Sequence, residues 1–203
     1  MRKRCILLRH GKTSGNEEGR YTGAGTDEGL SEAGMGAVSE VKDKIDALVS
    51  YDVLIFSSPL LRAVQTAKLI FDDRYTQIVG DLREMDFGSF EGKNYEELKD
   101  DPEYRAWIDS RGSRKCPGGE DIGAFMDRSV RGFTEALNKC PEGSDCCIIC
   151  HGGNIMAILS RFKGGDYYDY RVDPLGGYIL DIESDDEGIH IIAYDRFDGG
   201  MSS

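Results

Sequence analysis

Cys5-Ile6-Leu7-Leu8-Arg9-His10-Gly11-Lys12-Thr13 and Cys146-Cys147-Ile148-Ile149-Cys150-His151-Gly152-Gly153-Asn154 share one grammar: an unbroken apolar run, then a histidine, then a glycine. An apolar run without alternation reads as a strand covered on both faces, as in a parallel sheet between helices. The histidine then stands at the strand's carboxyl edge, and the glycine lets backbone approach whatever the imidazole faces. Three further runs read as buried strands: Val53 to Phe56, Tyr178 to Ile182 and Ile189 to Tyr194.

Helical spacing fills the gaps. Ala37, Val38, Val41, Ile45 and Leu48 recur at three and four residues within Ser31 to Val49, behind a serine suited to capping. Ser58-Pro59 reads as the cap and first position of a second helix, running through Ala63, Ala67 and Ile70. A third spans about Asp121 to Lys139, and a fourth follows Gly152-Gly153 from Asn154 to Phe162. Alternating strands and helices predict an α/β protein of three layers, α/β/α, with a mostly parallel central sheet. Between about residues 80 and 120 the rhythm breaks into short amphipathic pieces, Asn94 to Lys99 and Pro102 to Ser110, expected to form a small helical insertion over the active-site end of the sheet. A single domain over residues 1–203 is expected to contain that insertion and to end in a frayed tail, Asp198 to Ser203.

Composition excludes several classes. With 39% hydrophobic and 9% aromatic residues the chain is not disordered. Its 25 Lys+Arg against 37 Asp+Glu give a net charge of −12, which argues against a nucleic-acid partner. No apolar run approaches the roughly 18 residues that cross a bilayer, so no membrane partner is expected. Six cysteines without an export signal read as reduced thiols and predict a cytoplasmic protein. Strand alternation puts Cys146 and Cys150 on one face and Cys147 on the other, with no second ligand pair at zinc-finger spacing, so neither a metal nor a cofactor is expected.

The chemistry gathers around four residues. His10 and His151 share the strand-histidine-glycine context, Arg9 adjoins the first, and Arg62 stands in the first turn after the strand Val53 to Phe56. One such histidine alone is as well explained by packing, and one such arginine by a surface ion pair. Four at one sheet edge instead form a cationic site in an acidic protein, and guanidinium geometry suits phosphate oxygens. His190, inside Ile189-His190-Ile191-Ile192, reads as a sheet residue.

These residues carry a resemblance. Arg9-His10-Gly11-Lys12-Thr13, Asn16, Gly19-Arg20-Tyr21 and Leu30-Ser31-Glu32-Ala33-Gly34 resemble the opening motif of the histidine phosphatase superfamily, also called phosphoglycerate mutase-like. Ser57-Ser58-Pro59-Leu60-Leu61-Arg62-Ala63-Val64-Gln65-Thr66-Ala67 is similar to its second arginine motif, Leu82-Arg83-Glu84-Met85-Asp86-Phe87-Gly88 to its acid motif, and His151-Gly152-Gly153 to its second histidine motif. The resemblance implies that His10 is the nucleophile, that Arg9, Arg62 and His151 bind the transferring oxygens, and that Asn16 and Arg20 add donors. Glu84 is then the general acid and base, ahead of its neighbours Asp81, Asp86 and Glu91, with a pKa raised by burial or by the phosphate. His10 must be held in one tautomer through its other nitrogen. The implied activity is metal-independent phosphomonoester hydrolysis through a phosphohistidine, on a small phosphorylated metabolite.

Phe87 to Tyr95 and Pro117-Gly118-Gly119-Glu120-Asp121 resemble the phosphatase branch, and more narrowly the α-ribazole phosphatases of cobalamin synthesis. A cofactor-dependent phosphoglycerate mutase, a broad sugar phosphatase and a catalytically silent phospho-ligand binder are the alternatives. Asp121 and Thr26-Asp27-Glu28-Gly29 depart from the common pattern, and both are expected on the substrate side. Phe90, Tyr95, Tyr104 and Trp107 either line a pocket or fasten the insertion, the second being preferred; Tyr167-Tyr168-Asp169-Tyr170 stays open between the same roles. Cys150, beside His151, could carry redox control, and a homodimer is left open.

Overall fold

The computed structural model describes residues 2–72 and 74–199. In chain order the elements are β1 (Arg2–Arg9), α1 (Ser14–Glu17), α2 (Glu32–Asp46), β2 (Leu54–Ser57), α3 (Leu61–Phe71), β3 (Thr76–Ile78), α4 (Tyr95–Leu98), α5 (Pro102–Asp109), α6 (Ile122–Lys139), β4 (Cys146–Cys150), α7 (Gly152–Lys163), β5 (Gly177–Asp185) and β6 (Gly188–Phe197). The six strands form one sheet in the order β3-β2-β4-β1-β5-β6. β3, β2, β4 and β1 run parallel, and β5 pairs antiparallel with both β1 and β6.

Side-chain alternation along the strands splits the core in two. Cys5, Leu7, Cys146, Ile148 and Cys150 face α6 and α7, packing on Phe133, Leu137, Ile155 and Ile158. Ile6, Leu8, Cys147 and Ile149 face α2 and α3, packing on Val38, Val41, Ala63 and Ile70. This is the expected α/β/α sandwich, and Cys147 lies opposite Cys146 and Cys150 as alternation requires. A third cluster builds the insertion: Met85, Phe90, Leu98, Tyr104, Trp107 and Cys116 pack on Phe125 of α6 and Ala157 of α7.

Some boundaries differ from the sequence reading. α3 starts at Leu61 rather than at Ser58-Pro59, because the Ser58 hydroxyl is engaged by His151 and the Leu61 N–H is capped by Asp27 from another loop (2.6 Å). α7 starts at Gly152, two residues early, with the Asn154 side chain accepting from the His151 N–H (3.2 Å). β3, three residues of an edge strand with polar Thr76 and Gln77, carries no hydrophobic signal and was not expected. β6 is a mostly exposed edge strand rather than a buried one, since nothing pairs beyond it among the described residues. Of the expected tail, Asp198 pairs with Arg196 (2.9 Å), and residues 200–203 lie outside the described residues.

Candidate active site

β1 and β4 are neighbours in register, Arg9 opposite Cys150, so the residue after each strand emerges at the same edge. His10 and His151 therefore meet, with ring centroids 4.9 Å apart. The His10 N–H donates to the Cys150 carbonyl (3.0 Å), continuing the ladder to the first site residue. Both imidazoles are buried, as is Arg62.

His10 Nδ1 lies 2.6 Å from the Gly11 carbonyl, which can only accept, so Nδ1 carries the proton and Nε2 keeps its lone pair. Burial holds the His10 pKa well below its usual value, reinforced by Arg62 and Arg9. The tautomer expected of a nucleophile is thus set by the residue's own neighbour. Thr66 accepts from the Gly11 N–H (3.0 Å) and donates to the Arg62 carbonyl (2.7 Å), tying this turn to α3.

Arg62 is anchored through both terminal nitrogens to carbonyls of the 22–26 loop: Nη1 to Thr26 (2.8 Å), Nη2 to Gly23 (3.1 Å) and Thr22 (3.3 Å). Arg9 Nη1 donates to the Val172 carbonyl (2.8 Å). Nε of Arg9, Nε of Arg62 and Nδ1 of His151 are all buried without a hydrogen-bond partner. Buried polar groups are almost always paired, so three orphans around one imidazole mark a place built for an external acceptor. Two guanidinium donors and one imidazole nitrogen match the spread negative charge of a phosphoryl group in transfer.

Glu84 closes the site from the insertion side. Its Oε1 accepts from the Met85 N–H (2.8 Å) and its Oε2 from the Gly153 N–H (3.2 Å) at the start of α7. Burial raises its pKa, against those N–H groups and the guanidiniums of Arg62 and Arg9, as a general acid needs. The approach depends on glycine: a Cβ at Gly153 would sit 2.3 Å from Glu84 Oε1. Asp81 pairs with Arg131, Asp86 accepts from Gly88, and Glu91 braces Gly25, Thr26 and Phe87, so each is otherwise engaged.

Asn16 and Arg20 line the cleft outside these residues. Asn16 Oδ1 accepts from the Thr13 N–H (3.3 Å). Arg20 is committed to Glu18 and Glu97 (both 2.6 Å), so its guanidinium is less free to bind phosphate than the resemblance implies. The expected substrate-side departures do not line the cleft. Asp121 caps α6 by accepting from Ala124 (3.1 Å), Thr26 and Asp27 hold Arg62 and α3, and Glu28 accepts from Gly15.

The cleft has a volume of about 780 Å³, walled by Tyr21, Phe87, Trp107, Tyr167 and Tyr168 with Arg9, Glu84 and Gly152 behind them. Of the four aromatics read as wall or fastening, Phe90 and Tyr104 are buried fastening, Tyr95 is exposed, and Trp107 is both packed and part of the wall. Tyr167 and Tyr168 belong to the wall, and the Tyr167 hydroxyl donates to the Gly153 carbonyl (3.3 Å).

Two contributors were missed in the sequence. Arg128 of α6 is buried, pairs twice with Glu120 (2.7 and 2.6 Å) and donates to the carbonyls of Asp81, Arg83 and Glu84, fixing the backbone that presents the acid. Its glutamate partner eight residues earlier is the only signal the sequence offered. Ser58 lies 2.7 Å from His151 Nε2, a pairing with no local signature. Burial lifts the Cys150 thiol pKa well above its usual value, which disfavours the thiolate that oxidation at this position would require.

Comparison with known families matches residues 5–193 to the histidine phosphatase superfamily (branch 1). The chain is 30% identical over 177 residues to an adenosylcobalamin/alpha-ribazole phosphatase of Escherichia coli, covering 84% of this chain and 85% of that protein. It is 31% identical over 162 residues to a metal-independent phosphoserine phosphatase of Arabidopsis thaliana, covering 77% and 67%. The alpha-ribazole phosphatase structure from Shigella flexneri superposes with a TM-score of 0.79 at 26% identity, covering 98% of this chain and 100% of that one. The chain belongs to the histidine phosphatase superfamily, branch 1.

Proposed function

We propose that this phosphomonoesterase works through a phosphohistidine at His10. His10 Nε2 attacks phosphorus while Arg9, Arg62 and His151 take up the charge on the three equatorial oxygens. The ester P–O bond breaks, and Glu84 gives its proton to the departing alkoxide oxygen. Glu84, now a carboxylate, takes a proton from water as that water attacks the phosphohistidine; the P–N bond breaks and inorganic phosphate leaves with His10 neutral again. The observation that carries this reading is an unprotonated His10 Nε2 beside three unpartnered buried polar atoms. A silent binding protein would need neither the fixed lone pair nor a buried acid of raised pKa.

For the leaving alcohol, the aromatic wall and the volume of about 780 Å³ support a ring-bearing group of nucleoside size. We take α-ribazole 5′-phosphate as the preferred substrate, which would place the enzyme in cobalamin synthesis, and the named relative is consistent with it. Six buried free thiols suit a reducing compartment such as the cytoplasm. The test is phosphate release, in EDTA, from a panel of α-ribazole 5′-phosphate, phosphoserine and 3-phosphoglycerate. The expected result is fastest turnover of the ribazole ester, abolished in His10→Ala. Preference for the compact acids would reject the ribazole assignment, and no wild-type turnover of any member would reject the hydrolase reading.

A further inference from the structure

His151 has one nitrogen committed and one unpartnered. Its Nε2 is 2.7 Å from the Ser58 hydroxyl, and its Nδ1 is buried with no partner. Ser58 is fully buried and held on three sides. Its N–H donates to the Ile149 carbonyl (2.9 Å), its carbonyl accepts from the Ser57 hydroxyl (2.9 Å), and its Oγ accepts from the Leu60 N–H (3.3 Å). The hydroxyl therefore sits just past the end of β2, the neighbouring strand, clamped against the end of β4 where His151 begins.

We propose that Ser58 is a positioning residue whose hydroxyl donates to His151 Nε2, fixing the imidazole proton on Nδ1, where it serves as the donor to a transferring phosphoryl oxygen. A count of protons carries the assignment. The Ser58 hydroxyl has one proton, and His151 Nε2 is the acceptor its geometry provides. Were Nε2 to donate instead, the serine proton would be buried with no acceptor, and His151 Nδ1 would present a lone pair where the phosphate oxygens must sit. Nδ1 accepts nothing from Arg62 or Arg9, as a nitrogen already carrying a proton would not. The arrangement keeps His151 a neutral donor, because protonating Nε2 would require the serine hydroxyl to surrender its own bond. The proposal rests on the phosphoryl-transfer reading only for what Nδ1–H donates to; the tautomer itself is a property of the free protein.

Imidazole 1H–15N correlation spectra of the wild-type protein with 15N-labelled histidine read that tautomer directly, and the expected state of His151 is Nδ1–H with bare Nε2. In Ser58→Ala the proton should move to Nε2 or exchange between the two nitrogens. Vanadate inhibition should then weaken about 10-fold, short of the roughly 100-fold or more that outright loss of such a donor costs. Turnover should fall to a similar extent with KM within about twofold, since the lost interaction belongs to the transition state. Ser58→Thr should restore the Nδ1–H signal and most of kcat. A wild-type His151 protonated on Nε2 would overturn the proposal even if Ser58→Ala failed to fold, as would Ser58→Ala retaining Nδ1–H. An absence of phosphohistidine at His10 would instead defeat the phosphohistidine mechanism and leave the Ser58 assignment standing.

Discussion

Burial sets the charge state of each reacting residue, and its sign can be checked. Burial is the leading cause both of the raised Glu84 pKa and of the lowered His10 and His151 pKa values. A raised carboxyl pKa means that the folded state holds the proton more tightly, so this group's contribution to stability is lost as pH rises above the unfolded value of 4.5. The imidazoles act oppositely: their contribution is present above the unfolded value of 6.5 and lost as pH falls below it. Glu84→Gln should therefore raise the melting temperature at pH 8 while lowering kcat for alkyl phosphates by roughly 100- to 10,000-fold. The loss should be much smaller for p-nitrophenyl phosphate, whose leaving group needs no proton. Scanning calorimetry and steady-state kinetics check both, and an unchanged kcat for alkyl esters would remove Glu84 as the acid. In the wild type, activity toward alkyl phosphates should decline as pH rises through the Glu84 pKa.

Among the elements, the first turns of α3 and α7, set against the aligned ends of β1 and β4, hold the site in place. Gly153→Ala keeps the helical backbone of α7 but puts a Cβ 2.3 Å from Glu84 Oε1. It should cost about 10-fold or more in kcat and also lower the melting temperature, because the same Cβ would sit 2.9 Å from the ring of fully buried Phe125, an outcome that a thermal melt and a rate measurement together decide. Asp27→Ala removes the side chain that caps α3, and should cost about 1 kcal/mol of stability in urea titration with turnover nearly unchanged. The contrast explains what the sequence revealed. His10, His151 and the three layers were legible because strand, histidine and glycine are contiguous in the chain. Ser58, 93 residues from His151, and Arg128, 44 residues from Glu84, act across the fold, so no local pattern announced them. The start of α3 was misread for the same reason, since a distant aspartate supplies the cap and the site takes the serine.

Taken whole, the molecule concentrates cations in one cleft of a strongly acidic chain. Arg20 and Arg111 of the cleft wall are paired with Glu18, Glu97 and Asp166, whereas Arg9 and Arg62 make no ion pair among the described residues and keep unpartnered Nε atoms. The positive charge aimed at the phosphoryl group is thus concentrated in the cleft, which Lys12 and Arg171 also line, within a chain of net charge −12. All six thiols are buried, four of them in β1 and β4, Cys140 at the end of α6 and Cys116 in the insertion, and burial raises the pKa of Cys116 to about 11 and those of Cys147 and Cys150 further. Peroxide treatment of the folded enzyme should leave turnover unchanged, and Cys150→Ser should behave like wild type. Inactivation that Cys150→Ser prevents would restore a redox role.

The most direct test of the account is a rapidly mixed reaction of the wild-type enzyme with a 32P-labelled phosphomonoester in EDTA, stopped with alkaline dodecyl sulfate and followed by peptide mapping under alkaline conditions that preserve phosphohistidine. The account predicts label on the peptide containing His10 within the first turnover, lost on chase with unlabelled substrate and absent in His10→Ala. Phosphate release with no protein-bound label, or label on another residue, would contradict it.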